Sequence, residues 1–188
     1  MLARHLGELL PREASVVDVG CGDGVIDRLV LDSRPDLTIE GLDVLRRPVT
    51  AIPVRLFDGM TLPYETQSRD VVVLIDVLHH AADPLRLLAE AVRVSRRAVL
   101  IKDHRCESWR QRWVLRFMDW VGNRPTGVRL SYEYWSRAQW AAAWAGLGLT
   151  VGEMREDLGL YPKPARPLFE RDLHFMALLQ VRPRGPGV

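Results

Sequence analysis

Apolar and polar residues fall in blocks along the chain, and the blocks switch between two periods. Ser15-Val16-Val17-Asp18-Val19 is a short β-branched run closed by glycines, after which Val25, Ile26, Leu29 and Val30 recur at helical spacing. This pattern predicts a strand, a tight turn and a helix. A second strand, Leu37 to Asp43, follows the Pro35-Asp36 turn, and a third, Val54 to Phe57, runs into Asp58-Gly59. Val71 to Ile75 is uninterrupted apolar sequence, the pattern of a strand covered on both faces. Asp83-Pro84 then supplies an N-cap and a first-turn proline for a helix carrying Leu85, Leu88, Ala89 and Val92, and Ala98 to Ile101 makes a fifth strand.

Strands alternating with helices imply right-handed βαβ units, and so an α/β fold with a parallel sheet between two helical layers. The pattern changes after the fifth strand. Residues 105–146 carry no strand signal, and Trp109, Trp113, Phe117 and Trp120 share one helical face. A further helix opens with Ser136 three residues before Gln139, a capping-box spacing, and carries Trp140, Ala143, Trp144 and Leu147 before Gly146 and Gly148 end it. The expectation is a helical insertion over approximately 105–146 in a single domain spanning 1–188. Leu149 to Arg155 and Leu173 to Val181 complete the strands, separated by a proline-rich connection through Pro162, Pro164 and Pro167. The tail Arg182 to Gly187 is expected to fray.

Composition narrows the function classes. The 188 residues are 47% hydrophobic and 27% charged, the make-up of one globular domain. Lys and Arg number 26 against 24 Asp and Glu, a net charge of +2, so no dominant footprint for nucleic acid is present. Only Lys102 and Lys163 are lysines, an arginine bias carrying little functional weight. Cys21 and Cys106 make neither a disulfide framework nor a clustered zinc pattern, which suits a reducing cytoplasm. No stretch reaches the roughly 18 apolar residues of a membrane span, and the N-terminus has no signal-type core. The expectation is a soluble, cytoplasmic monomer or homodimer without membrane insertion.

The most informative stretch is Asp18-Val19-Gly20-Cys21-Gly22-Asp23-Gly24. In an open parallel sheet, ligands bind beyond the carboxyl ends of the strands, so a glycine-rich turn after the first strand lies at the binding crevice. Gly20, Gly22 and Gly24 let backbone approach a ligand, and N–H groups at the following helix start favour a carboxylate. A dinucleotide site more often shows G-x-G-x-x-G, and Val25 and Ile26 offer no glycine at the required place.

On these residues the chain resembles the class I S-adenosylmethionine-dependent methyltransferases, particularly the small-molecule type described as methyltransferase type 11, over roughly residues 10–104. The resemblance implies a Rossmann-like three-layer sandwich with a seven-stranded mixed sheet whose last strand is antiparallel, and S-adenosyl-L-methionine as cofactor. The family's first motif corresponds to Asp18, Gly20, Gly22 and Gly24, with Cys21 between them. Asp43, at the second strand end beside Val44, matches the carboxylate that accepts the ribose hydroxyl protons. Asp58-Gly59 matches the turn beside adenine, where Met60 and Leu62 offer apolar contact. Asp76-Val77-Leu78-His79-His80 matches the strand end that lines the junction of the cofactor's methionine part and the substrate. The chain departs from the family in having Val94-Ser95-Arg96-Arg97 where a Pro-Gly-Gly turn often precedes strand five. It also lacks the Asn/Asp-Pro-Pro-Tyr element that amino-methylating nucleic-acid and glutamine enzymes commonly use.

Methyl transfer from a sulfonium is a direct displacement, so positioning supplies most of the catalysis, and a base helps where the acceptor is a hydroxyl or an acidic carbon. His79, His80 and His104 stand at strand ends, and His80 and His104 are the expected bases. A magnesium site from Asp76, His79, His80 and His104 is conceivable, but magnesium prefers oxygen ligands and adjacent histidines rarely chelate one ion, so no metal is expected. The aromatic insertion is expected to cap an aromatic or apolar acceptor of small or medium size, with Arg124 in the Gly122 to Gly127 loop at the entrance. The expected reaction is methylation of oxygen or carbon. The rivals are a non-catalytic methyltransferase-fold binding module and an NAD-dependent oxidoreductase.

Overall fold

Seven strands form one sheet in the order β3-β2-β1-β4-β5-β7-β6. The computed structural model describes residues 1–123, 132–170 and 172–182. Strands β1 (Ser15–Val19), β2 (Thr38–Asp43), β3 (Val54–Leu56), β4 (Arg69–Ile75) and β5 (Ser95–His104) pair in parallel. β7 (His174–Gln180) lies antiparallel between β5 and β6 (Thr150–Arg155), so the expected mixed sheet with its antiparallel last strand is present.

Strand alternation sorts the core into two layers. Val17, Val19, Leu42, Val72, Leu74, Val99 and Ile101 pack on one face against α3 (Pro84–Val94) and α5 (Arg137–Gly146). Val16, Ile39, Val71, Val73 and Leu100 pack on the other against α1 (Leu2–Leu9) and α2 (Val25–Ser33). α1 had no counterpart in the periodicity analysis. Its Leu6 and Leu9 are buried, and His5 Nε2 donates to Leu158 O at 2.8 Å.

Helix starts follow their local signals, whereas the buried faces depart from the expected ones. Asp83 accepts from Arg86 N at 3.0 Å, and the Ser136/Gln139 capping box is complete. On α2, however, Val25 and Leu29 are exposed while Asp27 and Val30 are buried. On α3, Leu85 is exposed and Leu87, Leu88 and Ala91 face the sheet.

Within the stretch 105–146, α4 (Trp109–Asn123) and α5 behave differently. Trp140 and Trp144 of α5 stack around Phe175 of β7 inside the main core, with ring centroids 5.1 and 5.8 Å away. α4 instead turns Leu115 and Asp119 inward and leaves Trp109 69%, Trp113 68%, Phe117 54% and Trp120 49% exposed, so the aromatic stripe is not core. Arg124 and its neighbours to 131, and the tail from 183, lie outside the described residues. Among the described residues no helix is long and apolar enough to cross a membrane.

Candidate functional site

The carboxyl ends of β1, β2 and β4 converge on the glycine turn. Gly20, Gly22 and Gly24 have φ of +78°, +63° and +72°, values that side chains with a Cβ rarely adopt. Gly20 N donates to Leu42 O at 2.7 Å, and a Cβ on Gly20 would collide with Val77, so the turn is seated against the end of β4. A Cβ on Gly22 would meet nothing within 4 Å, so this residue borders open space. Gly22 N donates to Asp43 Oδ2 at 2.9 Å, and Asp43 Oδ1 accepts from Leu45 N at 2.7 Å. Each Asp43 oxygen retains acceptor capacity beyond its backbone bond.

Next along the crevice, Asp58 Oδ1 accepts from Met60 N and Thr61 N at 2.8 and 2.7 Å. These bonds hold the Asp58 carboxyl below the usual carboxylate range. A Cβ on Gly59 would sit 3.1 Å from Val44 Cγ1, which places the two loops side by side. Two other expected residues stand differently. Cys21 turns its Sγ toward the Cα of Gly41, where any Cβ would collide with it, and burial with nearby carboxylates pushes its thiol pKa up. Asp18 lies beneath the turn on the α2 face and shares a hydrogen bond with Asp27. Burial and the Asp27 charge raise the Asp18 pKa strongly, and burial lifts that of Asp27 to about 6.

A second cluster forms where β4 and β5 end. Asp76 has φ +54°, a left-handed conformation uncommon for a non-glycine residue, and ends β4 ahead of a 3₁₀ turn at Leu78–His80. Lys102 Nζ donates to both its carboxylate oxygens at 2.7 and 2.6 Å. Burial opposes ionisation of Asp76, but the Lys102 ammonium outweighs it and keeps the pKa low. Lys102, Asp103 and His104 lie at the buried end of β5.

Asp103 is the hub of this cluster. Its Oδ1 lies 2.5 Å from His79 Nδ1 and accepts from His104 N at 2.7 Å, and its Oδ2 accepts from Leu78 N at 3.2 Å. The other His79 ring nitrogen, Nε2, is 3.7 Å from Asp119 Oδ1, and Tyr134 donates to Asp119 Oδ2. Burial pulls the His79 pKa down, but Asp103 and Asp119 overcome it and raise it to about 10. Burial and the neighbouring His79 charge lower His80 to about 4.

His104 Nδ1 sits 3.5 Å from Asp76 and 3.6 Å from Asp103, and the His104 carbonyl accepts from Trp140 Nε1 at 3.0 Å. The β5–β7 register sets His174 opposite His104, with ring centroids 4.6 Å apart. Sequence reasoning assigned no role to Asp119 or His174. The i, i+4 pair Leu115 and Asp119 on the inward face of α4 was the available signal for Asp119.

The chain matches the model of a methyltransferase domain family over residues 2–153. It is 28% identical over 110 residues to the 27-O-demethylrifamycin SV methyltransferase of Amycolatopsis mediterranei, covering 50% of this chain and 40% of that protein. It is 28% identical over 93 residues to the ubiquinone biosynthesis O-methyltransferase of Hahella chejuensis, covering 43% and 38%. The chain thus matches well under half the length of these curated relatives. A SAM-dependent methyltransferase from Aquifex aeolicus shares the fold, with a TM-score of 0.63 at 17% identity over 95% of this chain and 88% of that one. With the family model matched over most of its length, this chain belongs to the methyltransferase domain family.

Proposed function

We propose that the protein transfers the methyl group of S-adenosylmethionine to an oxygen or carbon of a small or medium-sized, aromatic or apolar acceptor. The observation that carries this reading is the pairing of Gly22 with Asp43: the turn opens into free space at Gly22 while its N–H is fixed to a buried carboxylate with acceptor capacity left. A nucleoside-bearing cofactor fits these residues, since ribose hydroxyls need an acceptor and the turn leaves room for close approach.

The cofactor, when bound, supplies an electrophilic methyl carbon on a sulfonium. Asp43 and Val44 would hold its ribose side, and Asp58 and Gly59 its adenine side. Asp18, Gly20, Cys21 and Gly22 shape the turn, and Asp76 and Val77 border the methionine end. The protein's main contribution is to hold the acceptor in line at near-attack distance. His80 and His104 are the proton acceptors in this reading. Burial and the neighbouring His79 charge hold His80 neutral at physiological pH, the protonation state a base needs, while a pKa of about 4 makes it a weak one.

The exposed aromatics of α4 support an aromatic or apolar acceptor, because their rings offer area that the core does not use. The two relatives, whose names identify O-methylation, favour oxygen over nitrogen. The test is transfer of radiolabelled methyl from the cofactor into a panel of phenols, alcohols, activated carbon acids and amines. Label in phenols, alcohols or carbon acids supports the reading, and label confined to amines overturns it.

A further inference from the structure

Helix α4 has two sides of different chemistry. On the inner side Leu115 and Asp119 are buried, and Val114 and Met118 pack with Leu115 against Cys106, Tyr134 and Leu173. The outer side carries Trp109, Trp113, Phe117 and Trp120 at 49–69% exposure, together with the exposed Val121. Large rings in that position keep apolar area in contact with water along the whole helix, an arrangement that marks an interaction surface.

Charge is distributed around the rings with one sign. At about 100° per residue, Arg112 and Arg116 fall on one flank of the aromatic stripe and Arg110 on the other. All three arginines are exposed. The Arg110 guanidinium lies 5.4 Å from the centre of the Trp109 ring, and that of Arg116 lies 5.9 Å from Trp113 and 4.7 Å from Tyr132. The one carboxylate of the helix, Asp119, is buried and accepts from Tyr134. The outer side therefore offers aromatic area bordered by positive charge and no negative charge of its own.

We propose that the outer side of α4 docks the protein on an anionic phospholipid surface, with the rings entering the headgroup layer and the arginines meeting lipid phosphates. Three of the four rings are tryptophan, whose apolar body and polar N–H suit the boundary between acyl chains and water. Arginines flanking such a stripe lay their stems along the apolar surface and keep their charged ends at the phosphates. With 15 residues, α4 is about 22 Å long and too short to span a bilayer, so it lies in the plane of the surface. A second copy of the chain fits this side less well, because a symmetric contact would bring the arginines of both helices together. Asp119 Oδ1, on the inner side, is 3.7 Å from His79 Nε2, so the histidine cluster would stand about one helix diameter, roughly 10 Å, from the lipid. On the methyl-transfer reading, and resting on it, the bilayer would then be a source of apolar acceptor.

Docking is read on the full chain without cofactor or acceptor, so its failure and a failure of methyl transfer are separate results. The protein is sedimented with vesicles of phosphatidylcholine alone and of equal parts phosphatidylcholine and phosphatidylglycerol, while tryptophan emission is followed. The expected result is binding and a blue shift with the anionic vesicles, weakening as salt is raised. The double variant Trp109→Ala, Trp113→Ala should lose the blue shift and bind about tenfold or more weakly. The triple variant Arg110→Gln, Arg112→Gln, Arg116→Gln should also bind anionic vesicles about tenfold or more weakly. These side chains are exposed, so circular dichroism and melting temperature should match the parent protein, and either variant decides should the other fail to fold. Absence of binding to anionic vesicles at low salt, or binding unchanged in both variants, overturns the proposal. So does dimerisation in sedimentation velocity that the tryptophan variant abolishes, or binding to polyglutamate, where vesicles are not bound: the first assigns the face to a second copy and the other to an acidic protein.

Discussion

The carboxylate of Asp43 is tied to the backbone N–H of Gly22 at 2.9 Å, joining the end of β2 to the turn after β1. This bond organises the turn, and the same carboxylate is the predicted ribose acceptor. Asp43→Ala should therefore weaken S-adenosylmethionine binding by about 1.5–3 kcal/mol, roughly ten- to hundredfold, in calorimetric titration. Because Asp43 also accepts from Leu45 N, a fall in melting temperature should accompany the loss. Unchanged affinity would remove Asp43 from the site.

Gly20 and Gly22 should respond differently to the same substitution. Both have positive φ, so alanine costs about 1 kcal/mol or more at either. Only at Gly20 does the new methyl collide with a neighbour, Val77, so Gly20→Ala should be less stable than Gly22→Ala by a further roughly 1–3 kcal/mol. Gly22→Ala places its methyl in open space and should lose cofactor affinity more than stability. Denaturant unfolding and titration of both variants check the contrast, and equal unfolding energies would contradict it.

The buried Asp18–Asp27 pair predicts a stability term that runs opposite to that of a salt-bridged carboxylate. Burial raises Asp27 to about 6, against about 3.9 for an unfolded aspartate. The stabilisation from its protonated form is complete below the unfolded value and is lost as pH rises through about 6. Asp27→Asn fixes a neutral side chain there. Its melting temperature relative to the parent protein should thus be higher at pH 8 than at pH 5, by the equivalent of about 1–3 kcal/mol. A difference that does not vary with pH would contradict the shared-proton arrangement.

Trp109 and Trp113 should matter for the acceptor and little for the fold. Their side chains are 69% and 68% exposed, so Trp113→Ala should change unfolding free energy by no more than about 0.5 kcal/mol. In the proposed role the variant should raise KM for an apolar acceptor severalfold while leaving cofactor affinity unchanged. An unaltered KM for every methylated acceptor would remove this face from substrate binding.

What could be read in the sequence was what depends on short-range chemistry. The strand–glycine–helix pattern, the Asp83 and Ser136 caps and the acids at strand ends are local signals, and the structure has the elements they specify. The histidine–carboxylate cluster depends on long-range geometry. His79 meets Asp103 across 24 positions, and Asp119 reaches it from a helix whose conspicuous residues are the aromatics on its other side. Lys102, Asp103 and His104 had the polarity of a surface corner and became a strand end because β7 pairs alongside them. Asp18 was assigned by its motif, but strand alternation turns it to the α2 face, where Asp27 waits on a helix whose apolar spacing pointed elsewhere.

Isothermal titration of the intact chain with S-adenosylmethionine, S-adenosylhomocysteine and NAD tests the central claim most directly. The predicted result is saturable one-to-one binding of both sulfur compounds, weakened in Asp43→Ala, with no response to NAD. Binding of NAD with no response to either sulfur compound would contradict the account.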